Sequence, residues 1–350
     1  MDYTEEEYPD EYYNNNESYS LDGYHTICIK EDIRNFGKVF LPIFYALALI
    51  IGLAGNTLVV AIYTYYKKLK TKTDVYILNL AVADILLLLT LPFWAADAVH
   101  GWELGEVTCK ITSALYVTNF SCGMLFLACI SIDRYQAIIE ARTGKGKSLI
   151  ICLIVWVAAV LLSLPELIFT TVGEPQGGTR KICHPVYPTS MARPAKATIQ
   201  ILEILFSFGI PFIVMLFCYT KVSHALIRTP NVKKWSAFKV LLAVVGVFIL
   251  TQLPYNIVKL CRSVDLIYSF LSDCETSKRF DMANQITESI ALFHSCLNPI
   301  VYTFVGVSIK NHILKFLKSF SNRQRRNWEN VTEISLNSHS NSENTSTFSI

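Results

Sequence analysis

The chain has 350 residues, of which 52% are hydrophobic and only 17% are charged, and its mean hydropathy is +0.36. Typical soluble domains carry about 25% charged residues, so this composition excludes disorder, a coiled coil and a disulfide-rich secreted scaffold for the chain as a whole. The net charge of +3 is too small to favour nucleic acid as a partner.

An acidic tail opens the chain, and we predict it as a separate segment over residues 1–38. Residues 1–32 hold ten Asp or Glu against one Lys. No basic segment precedes a short apolar stretch there, so a cleaved signal peptide is not expected. The sequon Asn16-Glu17-Ser18 predicts glycosylation of Asn16 if the tail is extracellular. Tyrosines lie among the acids, at Tyr3, Tyr8, Tyr12, Tyr13, Tyr19 and Tyr24.

Seven apolar stretches follow, each long enough to cross about 30 Å of hydrocarbon as a helix. One soluble core cannot bury so many all-apolar helices. Channels and transporters are typically built from internal repeats, and the sequence shows none. We therefore predict an all-α fold, a seven-transmembrane helix bundle over residues 39–305. The predicted spans are Val39–Tyr63, Val75–Val99, Ile111–Ile139, Leu149–Val172, Thr198–Tyr219, Phe238–Val258 and Met282–Val305.

Lysine and arginine set the orientation of this bundle. They concentrate after spans one, three, five and seven, at residues 67–72, 142–147, 221–234 and 310–326. Short cytoplasmic loops carry an excess of Lys and Arg, so these segments are expected to face the cytoplasm. This arrangement predicts a multi-pass protein of the plasma membrane with an extracellular N-terminus.

Charged residues inside the spans are costly, so each is a functional hypothesis. Asp84 lies in the middle of span two, Asp133 and Arg134 close span three, and Glu288 lies in the outer half of span seven. An anionic group at Glu288, near the outer mouth, could meet a cationic group of a ligand. A site in the outer half of the bundle is therefore predicted.

Prolines within the spans predict bends, because each removes a backbone donor from its helix. Neighbouring helices can satisfy the freed carbonyls inside a membrane. A bundle of bent helices suits an outer cavity and movable inner ends. The prolines concerned are Pro92, Pro165, Pro211, Pro254 and Pro299.

No motif indicates an enzyme. Residues 141–148 look like a phosphate-binding loop, but Ala141 stands where that loop needs Gly, and the segment joins two predicted membrane helices. The sequence has neither a zinc-protease helix motif nor a Gly-x-Ser-x-Gly elbow. We therefore expect a protein without catalytic residues.

Four of the ten cysteines map to the outer side of the predicted bundle: Cys28, Cys109, Cys183 and Cys274. An outer surface is oxidising, so two disulfides are expected there. Three pairings are possible, and spacing alone does not choose among them. The other six cysteines are interpreted as small apolar packing residues.

The segment after span seven is predicted to have two parts. Over residues 306–320 apolar residues recur at helical spacing opposite lysines, which predicts a cytoplasmic amphipathic eighth helix lying on membrane lipid. Residues 321–350 form a tail in which nine Ser or Thr fall within residues 329–350. Phosphorylation by receptor kinases would make this tail an anionic patch of the kind that arrestins bind.

Motifs in six of the spans resemble the signature of the rhodopsin-like (class A) G-protein-coupled receptors. They are Gly55-Asn56, Leu80-Ala81-Val82-Ala83-Asp84, Asp133-Arg134-Tyr135, Trp156, Pro211 with Tyr219, and Asn298-Pro299-Ile300-Val301-Tyr302. Together they cover residues 40–320 in the right order. A second set resembles the chemokine receptors: Thr90-Leu91-Pro92 with Phe93-Trp94, Gly101-Trp102, Leu253-Pro254-Tyr255-Asn256 and His294-Ser295-Cys296-Leu297-Asn298-Pro299.

The resemblance implies a ligand and a set of sites. A chemokine receptor binds small basic chemokines with a sulfated acidic tail and takes the chemokine N-terminus into its outer cavity. The disulfides implied are Cys109–Cys183 and Cys28–Cys274. The ligand-binding residues implied are Tyr8, Tyr12, Tyr13, Tyr19, Trp94, Trp102, Tyr116 and Glu288. The activation switch implied comprises Asp133, Arg134, Tyr135, Tyr219, Pro254, Asn298, Pro299 and Tyr302.

The same resemblance implies an allosteric sodium ion. The polar residues Asp84, Asn119, Ser295 and Asn298 match the sodium pocket of the family, although Gly123 stands where Ser is common. No other metal and no organic cofactor is expected.

Departures from the family pattern bear on signalling. After Tyr135 the chain continues Gln136-Ala137-Ile138-Ile139-Glu140-Ala141, where signalling chemokine receptors typically have Leu-Ala-Ile-Val-His-Ala. Gln252 also replaces the Trp of most rhodopsin-like receptors, and its amide needs buried hydrogen-bond partners. The blocks Thr71–Ala83, Ala128–Tyr135, Thr251–Lys259 and Glu288–Pro299 resemble the atypical chemokine receptors, which implies a scavenging receptor that binds CC chemokines, recruits arrestin and carries ligand into endosomes with weak or no G-protein signalling. Because Arg134 is intact, the alternative is a conventional Gi-coupled CC chemokine receptor for chemotaxis and calcium mobilisation.

Overall fold

The computed structural model describes residues 28, 30–66, 69, 71–139, 147–174, 180–228, 232–270 and 273–305. The tail tyrosines, the sequon at Asn16, the predicted amphipathic helix over 306–320 and the Ser/Thr-rich tail lie outside the described residues. The described residues comprise the helix bundle and parts of its connections.

Nine α-helices within the described residues make seven passes of the bundle. Helices α2 and α3 share the second pass, and helices α6 and α7, joined by a π-helical turn at Leu205–Gly209, share the fifth. The prediction of a helical bundle is confirmed. The helices are α1 Glu31–Ala61, α2 Lys72–Leu88, α3 Leu91–His100, α4 Glu106–Ile139, α5 Ser148–Phe169, α6 Ala192–Ile204, α7 Ile210–Arg228, α8 Val232–Tyr268 and α9 Cys274–Val305.

Five of these passes are long and apolar enough to cross a membrane by length and composition: Glu31–Tyr65, Lys72–His100, Glu106–Ile139, Ser148–Phe169 and Thr189–Arg228. The sixth and seventh predicted spans lie within α8 and α9. Side chains on α5 show the expected surface, because Leu149, Ile154 and Leu161 are exposed although they are apolar. Lipid, not water, is the solvent that such a surface fits.

Most helices extend beyond the predicted spans, because the end turns of a helix are often polar and a hydropathy pattern detects only its apolar part. Helix α1 begins at Glu31, so the boundary predicted between residues 38 and 39 lies within a helix. At the start of α2, the Asp74 backbone N–H donates to Thr71 Oγ1 at 3.2 Å, and the Thr71 N–H donates to Asp74 Oδ2 at 3.0 Å. Such a capping box stabilises a helix start by about 1 kcal/mol.

Before α9, two donors of Thr276 reach the exposed carboxylate of Asp273. The Thr276 backbone N–H and hydroxyl each donate to Asp273 Oδ2 at 2.9 Å. These bonds favour the ionised form and hold the pKa of Asp273 below its ordinary value. The carboxylate therefore caps the N-terminus of the helix in its charged state.

The prediction for the end of span four is wrong by three residues. Helix α5 ends at Phe169, and Thr170–Gly173 form strand β1, which pairs antiparallel with strand β2 at Ile182–Pro185. Residues 170–172 are β-branched, and such side chains suit a strand. The fold is thus an all-α bundle with one short hairpin laid over one end.

Two of the predicted bends coincide with interruptions. The second pass breaks at Leu89 and Thr90, directly before Pro92, and the π-helical turn in the fifth pass ends just ahead of Pro211. Pro165, Pro254 and Pro299 lie inside helices that continue on both sides. Pro42 also lies inside its helix, α1.

The bundle core is held by large apolar side chains and close helix contacts. Leu80, Phe126 and Phe248 are almost fully buried between the passes. Helices α1 and α9 approach closely, since a Cβ at Gly55 would lie 2.9 Å from Pro299 Cβ. Small residues allow such approach where lipid gives no hydrophobic drive.

Candidate functional site

Two disulfides gather the loops at one end of the bundle, which is called the disulfide end below. Cys109 at the start of α4 is bonded to Cys183 in β2, with their Cα atoms 5.7 Å apart. Cys28 is bonded to Cys274 at the start of α9, with their Cα atoms 5.5 Å apart. Both pairings implied by the resemblance are present, and together they tie the hairpin and the chain before α1 to the bundle.

The loop between α3 and α4 is fixed against the strand side of this end. Gly101 has φ +94°, a conformation that favours glycine, and the Trp102 backbone N–H donates to Lys181 O at 2.9 Å. The indole N–H of Trp102 donates to Gly105 O at 2.8 Å, and the side chain is 1% exposed. Trp102 thus holds the loop.

A cavity of about 350 Å³ opens inside the disulfide end. Three of the residues predicted to bind ligand line it, Trp94, Tyr116 and Glu288. Trp102 lies outside this lining, and its ring supports Trp94 at a centroid distance of 5.5 Å. The other described residues of the lining are Tyr45, Ser113, Val117, Glu166, Cys183, His184, Pro185, Tyr187, Ile199, Gln200, Glu203, Tyr255 and Lys259.

Glu288 is held in place by neutral donors. Tyr116 Oη donates to Glu288 Oε1 at 2.7 Å, and Asn284 Nδ2 lies 3.3 Å from Glu288 Oε2. Neither partner carries a positive charge. The carboxylate thus has no direct ion pair among the described residues, and Lys259 of the same cavity lining is its nearby cation.

Three charged residues of the cavity were missed from the sequence. Lys259 Nζ forms an ion pair with Glu203 Oε1 at 2.9 Å, and Glu166 Oε2 accepts from Thr170 Oγ1 at 2.7 Å. Glu166 and Glu203 lie inside predicted spans, where a charge is itself a signal of function. Lys259 was missed because it is the first residue after predicted span six, where a lysine is expected simply as the end of an apolar run.

The predicted sodium cluster lies midway through the bundle. Asp84 is fully buried, and its Oδ2 accepts from Asn298 Nδ2 at 2.9 Å. Asp84 Oδ1, Asn119 Oδ1 and Ser295 Oγ are buried and have no hydrogen-bond partner among the described residues. Unpaired buried oxygens are costly, and oxygen donors around one carboxylate suit a hard monovalent cation. The residues therefore fit the ion that the resemblance implies.

Gln252 lies beneath the cavity and finds the partners that burial demands. Its Nε2 donates to Ala291 O at 2.9 Å and lies 3.0 Å from His294 Nδ1. His294 Nε2 points towards Gly123, where an added Cβ would lie 3.3 Å away. The amide joins α8 to α9 in the place of the usual tryptophan.

At the opposite end of the bundle, the predicted switch residues meet through Thr73. The Thr73 hydroxyl donates to Asp133 Oδ2 at 2.5 Å, and Arg134 Nε donates to Thr73 Oγ1 at 3.0 Å. Arg134 Nη2 also pairs with Asp133 Oδ2 at 3.2 Å. The arginine is thereby held against α2 and α4.

The other switch residues occupy the surrounding helices. Ser131 Oγ donates to Tyr219 Oη at 3.3 Å, and the ring of Tyr135 packs against Phe217. Pro254 and Pro299 lie in α8 and α9. The backbone at Tyr302 is helical, and its side chain lies outside the described part of the structure.

Comparisons with known proteins give a consistent result. The model of the 7 transmembrane receptor (rhodopsin family) matches residues 55–302. Atypical chemokine receptor 4 of Bos taurus is 56% identical, and that of Homo sapiens 55% identical, each over 97% of this chain and 97% of the relative. C-C chemokine receptor type 7 of Homo sapiens is 40% identical over 99% of this chain and 93% of its own.

Proposed function

Since the chain belongs to the chemokine receptors of the seven-transmembrane rhodopsin family, we propose that it is an atypical receptor that captures and internalises CC chemokines. It acts at the plasma membrane with its N-terminus outside, recruits arrestin, and passes ligand to endosomes with weak or no G-protein signalling. The observation that carries this proposal is the likeness to atypical chemokine receptor 4 over nearly the whole chain.

Ligand recognition proceeds in two steps. The acidic tail, with ten Asp or Glu in residues 1–32, attracts the basic surface of a chemokine. Tyr8, Tyr12, Tyr13 and Tyr19, once sulfated, add to this charge. The chemokine N-terminus then enters the cavity lined by Trp94 and Tyr116, where its ammonium group meets Glu288.

A sodium ion is proposed at Asp84, held with Asn119, Ser295 and Asn298. The ion supplies a positive charge that balances the buried carboxylate. Its oxygen ligands come from α2, α4 and α9, so an occupied site favours one packing of these helices. Ligand binding and sodium binding are then coupled through that packing.

The inner tail completes the proposed cycle. Receptor kinases phosphorylate Ser and Thr within residues 329–350, and the resulting anionic patch recruits arrestin. Endocytosis then follows arrestin and needs no G protein. The ligand is removed from the medium, and the receptor returns to the cell surface.

A paired assay tests the scavenging function. Cells expressing the chain are given labelled CC chemokines, and uptake is measured beside calcium flux and cAMP. We expect uptake that saturates and little change in calcium or cAMP. Robust signalling sensitive to pertussis toxin would overturn the scavenging proposal.

A conventional Gi-coupled CC chemokine receptor is the second candidate. The observation in its favour is the contact set of Asp133, Arg134 and Thr73, which keeps Arg134 hydrogen-bonded at the end opposite the disulfides. Gln136 and Glu140, in the segment that docks G protein in this family, argue against it. The same paired assay separates the two candidates.

Replacing Glu288 tests the second recognition step. Glu288→Lys puts a cation beside the arriving ammonium group, so we expect internalisation to need at least tenfold more chemokine, while tail-mediated capture falls less. Glu275→Lys is the matched control, because Glu275 lies on the same helix, is exposed and does not line the cavity. An unchanged dose-response of internalisation for Glu288→Lys would refute the role of this residue.

A further inference from the structure

The cavity at the disulfide end adjoins a second one of about 450 Å³. The two share four lining residues, Gln200, Tyr255, Lys259 and Glu288. A ligand segment that reaches Glu288 therefore passes along both. The two linings differ in their balance of positive and negative side chains, and the proposed function does not use this difference.

The first cavity is acidic. Its lining holds the carboxylates of Glu166, Glu203 and Glu288 against the single ammonium of Lys259. That ammonium is engaged by Glu203 at 2.9 Å, which leaves Glu166 with a neutral hydroxyl donor and Glu288 with a hydroxyl and an amide donor. This cavity suits a cation.

The second cavity has the opposite balance. Besides the shared Lys259 and Glu288, its lining carries three cations, Lys30, Lys196 and Arg262, and one further carboxylate, Asp265. Lys30 and Arg262 both pair with Asp281, and Lys30 Nζ lies 2.6 Å from Asp281 Oδ2. The positive surplus therefore centres on Lys196.

Lys196 is half-buried and makes no hydrogen bond or ion pair in the part of the chain that the structure describes. Its charged neighbours are Arg262, which lines the same cavity, and Glu166, which lines the first. An ammonium group that is half-buried without a direct ion pair would gain from an anion placed against it. Because Lys196 lines the second cavity and not the first, that anion would bind in the second cavity, beside the four residues that the two linings share.

We propose that Lys196, with Arg262, forms an anion subsite beside the carboxylates of the first cavity, so that the receptor selects dipolar N-termini. The occupant is a peptide segment whose free ammonium group reaches Glu288 and whose acidic side chain, within the next few residues, reaches Lys196. This inference rests on the proposed function, because it assigns a second contact to the same entering segment.

The tail of the chain itself is the competing occupant. Its acids match Lys196 and Arg262, but they would be repelled by Glu166, Glu203 and Glu288 in the adjoining lining. An entering N-terminus with an acid close to its ammonium group satisfies both linings at once. The charge pattern therefore favours the ligand over the tail.

Matched chemokine pairs test the subsite. Human CC chemokines are labelled at the C-terminus and made in two forms, with the acidic residues ahead of the first cysteine retained or changed to their amides. Half-maximal uptake is measured at equal surface expression for the wild type, Lys196→Gln and Lys196→Arg. Lys278→Gln is the control, since Lys278 lies at the same end and lines neither cavity.

We expect the wild type to prefer the acidic form by about tenfold, as for one charge-assisted contact of about 1.4 kcal/mol. Lys196→Gln should bring the ratio close to one, while Lys196→Arg and Lys278→Gln should keep it. An unchanged ratio in Lys196→Gln overturns the proposal. If Lys196→Gln instead improved the uptake of both chemokine forms equally, the tail would be identified as the occupant, and the proposal would be overturned as well. A wild type that takes up no chemokine refutes the proposed function, and the subsite with it.

Discussion

Single residues at the disulfide end combine strain with tight contacts. Gly101 has φ +94° and ψ 179°, a region that is essentially restricted to glycine. A Cβ there would lie 2.6 Å from Lys181 O, the same atom that accepts from the Trp102 N–H. The glycine thus allows the loop to bond to the chain before β2, and Trp94 depends on that loop.

We expect Gly101→Ala to destabilise the receptor by about 1–3 kcal/mol, through backbone strain and the clash with Lys181 O. Thermal unfolding of the purified receptor measures this loss. Gly105→Ala is the matched control, because Gly105 also has a positive φ, of +81°, but nothing lies within 4 Å of the added Cβ. Equal losses for the two variants would show that strain alone acts and that the contact is unimportant.

The sodium proposal also belongs to the scale of single residues. Asp84→Asn removes the charge that holds the ion while keeping the size of the side chain. We expect wild-type chemokine affinity to change at least twofold when sodium replaces choline in the buffer, and the variant to lose this dependence. A variant that responds to sodium as the wild type does would exclude Asp84 as the ion's ligand.

At the scale of secondary-structure elements, ion pairs join neighbouring helices, and a hydropathy pattern does not show which helices they join. The ion pair of Lys259 with Glu203 connects α8 to α6, and both side chains are 15% exposed. Removing one member of a nearly buried pair leaves the other charge uncompensated, at a cost of about 3–5 kcal/mol. The fifth and sixth passes are therefore held together by this pair near the cavity.

Lys259→Met is expected to lower the melting temperature of the receptor by several degrees, because Glu203 loses its cation. The double variant Lys259→Glu with Glu203→Lys should recover part of that loss by restoring a pair of opposite charges. Thermal unfolding of the wild type, of Lys259→Met, of each charge reversal alone and of the double variant provides the measurement. A double variant as unstable as the sum of the single variants would show that the pair adds nothing.

The sequence predicted the elements better than their ends. All seven apolar stretches are helical apart from the break at Leu89 and Thr90 and residues 170–172, because the length of an apolar run follows from the thickness of the bilayer. The hairpin of β1 and β2 was not predicted, because a strand of four residues is too short to show a clear alternation of apolar and polar side chains. Resemblance placed Trp94, Tyr116 and Glu288 at one cavity, whereas Glu166, Glu203 and Lys259 were missed. Only the packing of α5, α6 and α8 shows that those charges converge.

The whole molecule is polarised along its axis. The disulfides, the hairpin and the charged cavities lie at one end, while Asp133, Arg134 and Thr73 lie at the other. The buried polar cluster around Asp84 lies between them. A ligand and an intracellular partner can therefore influence each other only through the packing of the helices, which is the condition for allosteric coupling.

Glycosylation reports which end is outside the cell. Asn16→Gln should lower the apparent mass of the cell-surface receptor by one glycan, and a glycosidase should then have no further effect. The sequons Asn330-Val331-Thr332 and Asn344-Thr345-Ser346, in the tail after span seven, serve as controls, since they are expected on the cytoplasmic side and should carry no glycan. A glycan at either of them would contradict the proposed orientation.

The bond between Cys28 and Cys274 fixes where the tail starts, directly beside the second cavity. Residues 1–27, in any conformation, stay within about 90 Å of that anchor, because a fully extended residue spans about 3.4 Å. A chemokine held anywhere on that tail faces the cavity at an effective concentration of at least about 1 mM. Its free concentration then governs only the capture step, so a scavenger anchored in this way can clear ligand that is far too dilute to find the cavity by itself.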